Sequence, residues 1–213
     1  MKLTKDVINL PDTIIGEYTY GVPIISRSYS GCKLEIGKFC SIGTNVTIAF
    51  WGKHSMVDIT TYPFEYLAGW PIVKGSPIDG EDIYIGNDVW IANNVLIMQG
   101  AHIEDGAVIG ANSVVAGHFN PYALVVGNPA KQIKKRFTEN NIEQLLKIKW
   151  WDWPVEEIKQ YLSMIRSPNI SKLYEVWKNE IYVYSSSPSA LLRCKNITLK
   201  INMLSYSHAA IVR

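Results

Sequence analysis

Charge of one sign, paired cysteines and long apolar runs are all missing from this chain, and each absence removes a class of function. Its 21 Lys and Arg against 19 Asp and Glu leave a net charge of +2. That is too little for a protein held to nucleic acid by bulk electrostatics. Only three cysteines occur, Cys32, Cys40 and Cys194, with no paired or metal-ligand spacing, which gives no support to a disulfide framework or a thiolate metal centre. There is no signal-peptide pattern and no apolar run long enough to span a bilayer. The expectation is therefore a cytoplasmic protein with no membrane and no nucleic-acid partner. A length of 213 residues is ample for one domain with a real core, plus an appendage.

What the chain does have is a period of six. Ile85, Ile91, Ile97, Ile103, Ile109 and Val115 lead consecutive six-residue steps. Four places after each stand Val89, Val95, Ala101, Ala107, Ser113 and Phe119, compact in all but the last. A second run lies upstream at Ile36-Gly37, Ile42-Gly43 and Ile48, with Cys40 and Val46 in the compact slots, and Ile15-Gly16 fits an earlier rung. Six is too short for a helical repeat and wrong for plain strand alternation; it is the signature of a parallel β-helix. Each hexad makes one short strand and one corner, three hexads close a triangular coil, and coils stack at ~4.8 Å. The lead aliphatics point into the prism. Cys40, in an inward slot, reads as a buried small hydrophobe.

The period divides the chain. Residues 1–136 read as the β-helix domain, with the segment 50–82 inserted into it. Residues 137–179 read as a C-terminal helical region and 180–213 as an unassigned tail, apolar and Ser-rich without a clear period. The insertion carries Trp51, His54, Tyr62, Phe64, Glu65, Tyr66 and Trp70, and an ordered loop this long inside a repeat is usually functional. In the helical region Thr138 is placed to cap a helix bearing Ile142, Leu145 and Leu146. Pro154 suits the first turn of a second helix with Ile158, Leu162 and Ile165 on one face, and a third follows with Leu173 and Val176.

Several stretches carry a resemblance. They are Ile36-Gly37-Lys38-Phe39-Cys40-Ser41-Ile42-Gly43, Thr61-Tyr62-Pro63-Phe64, Ile85-Gly86-Asn87-Asp88-Val89-Trp90-Ile91, Gly127-Asn128-Pro129-Ala130, Lys135-Arg136-Phe137 and Trp150-Trp151-Asp152-Trp153-Pro154. Together they make most of residues 15–178 resemble the hexapeptide-repeat xenobiotic acetyltransferases. These are enzymes of the streptogramin and chloramphenicol acetyltransferase type, with polysaccharide O-acetyltransferase relatives. The fold this implies is a left-handed parallel β-helix of hexapeptide repeats with an inserted acceptor loop and C-terminal α-helices. The left hand is the family's, against the usual crossover rule; the period alone does not set it.

The implied activity is acetyl transfer from acetyl-CoA, as cosubstrate, to a hydroxyl of a small molecule or saccharide. Such chemistry needs a base, donors for an oxyanion and a positioned thioester. His54 occupies the place of the family's catalytic base before the Tyr-Pro-Phe motif, and an imidazole takes a proton near neutral pH. Ser41 and Ser55 sit in no nucleophile-elbow sequence. Carried over by motif position, Asn93, Ala111, Ala116 and Gly117 would line the pantetheine path, and Lys131 and Lys134 would meet the phosphates. Tyr18, Trp51, Lys53 and Asp58 are the residues expected to meet the acceptor. This chain departs from the family at Lys53, where Asn is frequent, and at Ala116-Gly117, where Thr-Lys is frequent. The segment Gly21–Cys32 is also short, and with Lys53 it tilts the acceptor towards a saccharide. The alternatives are a streptogramin or chloramphenicol acceptor, N-acylation of an amino sugar, and an inactive β-helix scaffold. His102 and His118 fall on outward hexad positions. The close histidine pair of the trimeric β-helix carbonic anhydrases is absent and no further ligand is found, so no metal is expected. The family implies a homotrimer with sites between subunits, and the Trp150–Trp153 cluster is expected to anchor the C-terminal helices.

Overall fold

The six-residue period becomes geometry through strand register. A computed structural model of the chain describes residues 2–27, 31–50, 54–64, 68–71 and 80–186. Along it run β1 (Thr13–Ile15), β2 (Ile24–Arg27), β3 (Leu34–Ile36), β4 (Ser41–Ile42), β5 (Thr47–Phe50), β6 (Ile83–Ile85) and β7 (Trp90–Ile91). They continue as β8 (Leu96–Met98), β9 (His102–Ile103), β10 (Val108–Ile109), β11 (Val114–Val115), β12 (His118–Phe119), β13 (Ala123–Gly127) and β14 (Ala130–Lys135). The strands form three sheets, ordered β1-β3-β6-β9-β12, β14-β13-β10-β7-β4 and β11-β8-β5-β2. From β3 to β13 each strand passes to the next sheet in a fixed cycle. Among the described strands every pairing is parallel except the antiparallel β13–β14 hairpin. This is a parallel β-helix.

Register also measures the coil. Ile85 pairs with Ile103, Ile91 with Ile109 and Ile97 with Val115, each 18 positions on, which is three hexads. Ile36, Ile42 and Ile48 pair with Ile85, Ile91 and Ile97, each 49 positions on. A separation of 49 where a coil takes 18 leaves 31 further residues between β5 and β6. The lead aliphatics Ile36, Ile48, Ile85, Ile91, Ile97, Ile103 and Ile109 are buried in one core with Cys40, Val46, Val89 and Val95. Cys40 is fully enclosed, its Sγ is 3.1 Å from the Gly86 carbonyl, and burial pushes its thiol up to about 12. It is an inert packing group.

The corners follow a second rule. At nine corners the residue three places after a strand's inward residue sits at positive φ: Tyr18, Phe39, Asp88, Gly106 and Tyr122 after strands of the first sheet, Asn45, Asn94 and Asn112 after those of the second, and Gly100 after β8; after β11 it is Gly117, two places past Val115. Left-handed backbone is costly for most side chains and mildest for Asn, Asp and Gly. Within the Asn column Asn45 Nδ2 donates to Asn94 Oδ1 at 3.2 Å. Between coils the backbones approach so closely that a Cβ on Gly37 would lie 2.6 Å from the Gly86 carbonyl carbon.

Two compact units are distinguished, Met1–Ile142 and Glu143–Arg213. Helix α1 (Glu139–Ile148) is capped by Thr138, whose Oγ1 accepts from Asn141 N–H at 3.4 Å and whose carbonyl accepts from Ile142 N–H. Ile142, Leu145 and Ile148 are buried. A 3-10 turn at Trp150–Asp152 leads to α2 (Val155–Ile165), with Pro154 at its N-cap. One expected member of the α2 apolar face is displaced. Leu162 is exposed, while Tyr161, one place earlier, is half-buried with its ring edge-on to Trp153. Helix α3 (Ile170–Ser186) is capped by Asn169 Oδ1 and runs past the point where the sequence loses its period. Among the described residues no helix is long and apolar enough to cross a membrane.

Candidate active site

Beyond β5, His54 stands exposed at the start of the described segment 54–64. Its Nδ1 lies 2.6 Å from the Thr61 carbonyl oxygen. A carbonyl only accepts, so Nδ1 carries the hydrogen, and in the neutral ring Nε2 is left with its lone pair directed elsewhere. The same bond closes residues 54–61 into a loop that holds Asp58, whose N–H donates to Ser55 Oγ at 3.3 Å. Ser55 Oγ is thus engaged in a local turn. Beyond it Tyr62, Phe64 and Trp70 form an aromatic row, with centroids 4.8 Å apart for the first pair and 4.9 Å, near-parallel, for the second. Trp51, Lys53, Glu65 and Tyr66 lie outside the described residues.

Tyr18 is held differently. It is a corner residue at φ 62°, stacked on Phe39 of the next coil at 4.8 Å. No described contact joins it to His54 or Asp58.

The residues expected along the cofactor path fall near the exit of the prism. Asn93 and Ala111 share one corner on successive coils, joined by Asn112 N–H to the Asn93 carbonyl at 3.1 Å. The Asn93 side-chain oxygen is already used, accepting from Thr44 N–H at 2.9 Å, so its amide nitrogen is what it can offer. Ala116 and Gly117 are exposed after β11, and the Gly117 carbonyl accepts from His102 N–H. The exit hairpin is tied to the Ala111 corner by Gly127 N–H donating to Ser113 Oγ at 3.0 Å.

Lys131 and Lys134 belong to that hairpin. Lys131 pairs with Val126 and Lys134 with Leu124, and the register slips between Leu124 and Val125. Paired residues of an antiparallel ladder project on the same face. The slip at Ile133 therefore puts both lysines on the outward face, where an unbroken strand would point them to opposite sides. Both are exposed, and among the described residues neither has an ion-pair partner.

The bacterial transferase hexapeptide (six repeats) family matches residues 82–117. Over 196 residues the chain is 35% identical to a chloramphenicol acetyltransferase of Agrobacterium fabrum, a match covering 81% of this chain and 91% of that one. Over 150 residues it is 48% identical to a probable macrolide acetyltransferase of Lysinibacillus sphaericus, covering 65% and 80%. This chain belongs to the hexapeptide-repeat acetyltransferases. Among solved structures, a hexapeptide-repeat-containing acetyltransferase from Vibrio cholerae in complex with acetyl coenzyme A matches with a TM-score of 0.45 at 26% identity, over 60% of this chain and 62% of that one.

In this acetyltransferase the basic run Lys131–Arg136 does not act as one cluster. Lys135 bonds both carboxylate oxygens of Glu139, at 2.8 and 2.7 Å. Arg136 donates to the Gly106 carbonyl at 2.6 Å, lies 3.8 Å from Asp88 and covers the Tyr122 and Phe137 rings. Only the first two lysines are left for a ligand. Sequence reasoning also missed Thr61 as the residue orienting His54, although it opens the Thr-Tyr-Pro-Phe motif. It missed Glu104 as well, which stands between His102 and His118; the two-residue spacing from His102 was the available signal.

Proposed function

We propose that this protein transfers the acetyl group of acetyl-CoA to a hydroxyl of a small molecule or saccharide, with His54 as general base. The carrying observation is the Nδ1 hydrogen bond to Thr61, which supports a ring whose Nε2 is free to accept. His54 Nε2 takes the acceptor's hydroxyl proton as that oxygen attacks the thioester carbonyl. A backbone N–H stabilises the oxyanion. The imidazolium then returns the proton to the departing thiolate, so no residue is acylated. The donor set fits coenzyme A: two unpaired lysines on one face suit its phosphates, and the exposed small residues Ala111, Ala116 and Gly117 leave room for an extended arm beside backbone groups.

In this reading the 31 extra residues form the acceptor loop, with Tyr18, Trp51, Lys53 and Asp58 meeting the acceptor, and the coil winds left-handed as in the family. The protein works as a homotrimer with a site between each pair of subunits. Met56, Val57 and Ile59, almost fully exposed in the single chain, support this, because monomers seldom leave such runs uncovered. The names of the relatives favour a drug-sized hydroxyl compound as a second reading of the acceptor.

Thiol release from acetyl-CoA tests the proposal, using a panel of saccharides, chloramphenicol, a macrolide and a group A streptogramin. Acceptor-dependent release is expected, and His54→Ala should lower kcat by about 100-fold or more with the fold intact. A His54→Ala enzyme of wild-type rate would remove His54 from the mechanism.

A further inference from the structure

We propose that the outward face of the β9–β12 pair carries a divalent-cation site built from His102, Glu104 and His118, suited to zinc, cobalt(II), nickel or copper(II). His102 and His118 are direct register partners on neighbouring parallel strands. Glu104 lies two residues after His102 and so projects on the same outward side. His102 Nε2 is 3.1 Å and His118 Nε2 is 3.2 Å from the same oxygen, Oε1 of Glu104, and all three donor atoms lie within 4.8 Å of one another. Metal bonds of about 2.0–2.2 Å place neighbouring tetrahedral ligands about 3.4 Å apart. Two of the three edges are already close to that spacing, and a modest ring rotation brings the third to it.

The rings are held in place before any ion arrives. His102 stacks on Tyr84 at 4.5 Å, itself its register partner on β6, and His118 meets His102 edge-on at 4.8 Å. The ligand set of two imidazoles and one carboxylate suits borderline metals rather than calcium or magnesium. Both rings keep about half their surface, so an ion can enter and at least one coordination position stays open. Bound there, the ion ties two successive coils together near the end of the prism. It is built on β9 and β12, whereas His54 follows β5, and the inference does not depend on the acetyl-transfer reading.

The test is a cobalt(II) titration of untagged full-length protein, read by visible d–d absorption and by the thermal midpoint, with zinc as competitor. The expected result is one equivalent per chain, a midpoint that rises with cobalt, and displacement by zinc. His118→Ala and Glu104→Gln should each weaken binding by at least about tenfold. Metal-free circular dichroism of each variant should match the wild type, and Glu104→Gln carries the test alone if His118→Ala does not fold. Absence of cobalt binding overturns the proposal. So does binding of undiminished strength in Glu104→Gln, which would place the ion elsewhere.

Discussion

Asp88 shows how a single residue can be placed against its own chemistry. It fills the left-handed corner position that Asn45, Asn94 and Asn112 fill on another edge. Burial pushes its carboxyl up from 3.8 to about 6; the Arg136 guanidinium opposes this and Asp105 adds to it. A carboxyl raised in the folded state favours the protonated form. Its contribution to stability is therefore full below pH 3.8 and is lost as pH rises through about 6. The side chain is 32% exposed, so solvent screens part of a cost that would reach about 3 kcal/mol if wholly buried. Asp88→Asn should flatten urea stability between pH 4 and 7 and raise it at pH 7.5 by about 1 kcal/mol. A loss of that size at pH 7.5 would mean that the Arg136 pairing dominates. The sequence marks Asp88 only as part of a motif; its burial comes from coils 18 and 49 positions away, and its cationic neighbour Arg136 from just past the exit hairpin.

At the scale of the element, the exit hairpin determines which cations a ligand can reach. Four basic residues stand within six positions, and composition cannot rank them. One register slip presents Lys131 and Lys134, while Lys135 and Arg136 are held by Glu139 and the Gly106 carbonyl. Lys131→Ala combined with Lys134→Ala should raise KM for acetyl-CoA about tenfold, near 1.4 kcal/mol, with kcat little changed. The effect should shrink at high salt. Lys135→Ala should leave that KM unchanged. An unchanged KM in the double variant would put the phosphates elsewhere. The corners make a similar point: lead and compact positions are legible as a hydrophobic period, but the left-handed position holds Tyr, Phe, Asp, Asn and Gly in turn. No composition rule unites them, because the backbone imposes the conformation.

For the whole molecule, the proposal to test is assembly. If the proposed trimer forms, light scattering should give three times the 24.0 kDa chain mass, and dilution below the association range should lower activity together with that mass. A monomer with full activity would contradict sites shared between subunits. The exposed run Met56, Val57 and Ile59 is the place to test the interface, since charged substitutions there should shift the mass before they affect the coil.

The sequence by itself determined the β-helix. A period of six needs only local information: an aliphatic every sixth residue has one way to be buried, three hexads close one coil, and each coil repeats the last. It also determined the helix cap at Thr138, where one side chain meets the next turn. Tertiary structure alone decided that Thr61 orients His54, that two of four cations face outward, and that Glu104 stands between two histidines 16 positions apart. The physical reason is range. Burial of a repeating stripe is written residue by residue, whereas a hydrogen bond across a loop or a contact between stacked coils depends on register, which exists only once the chain has closed on itself.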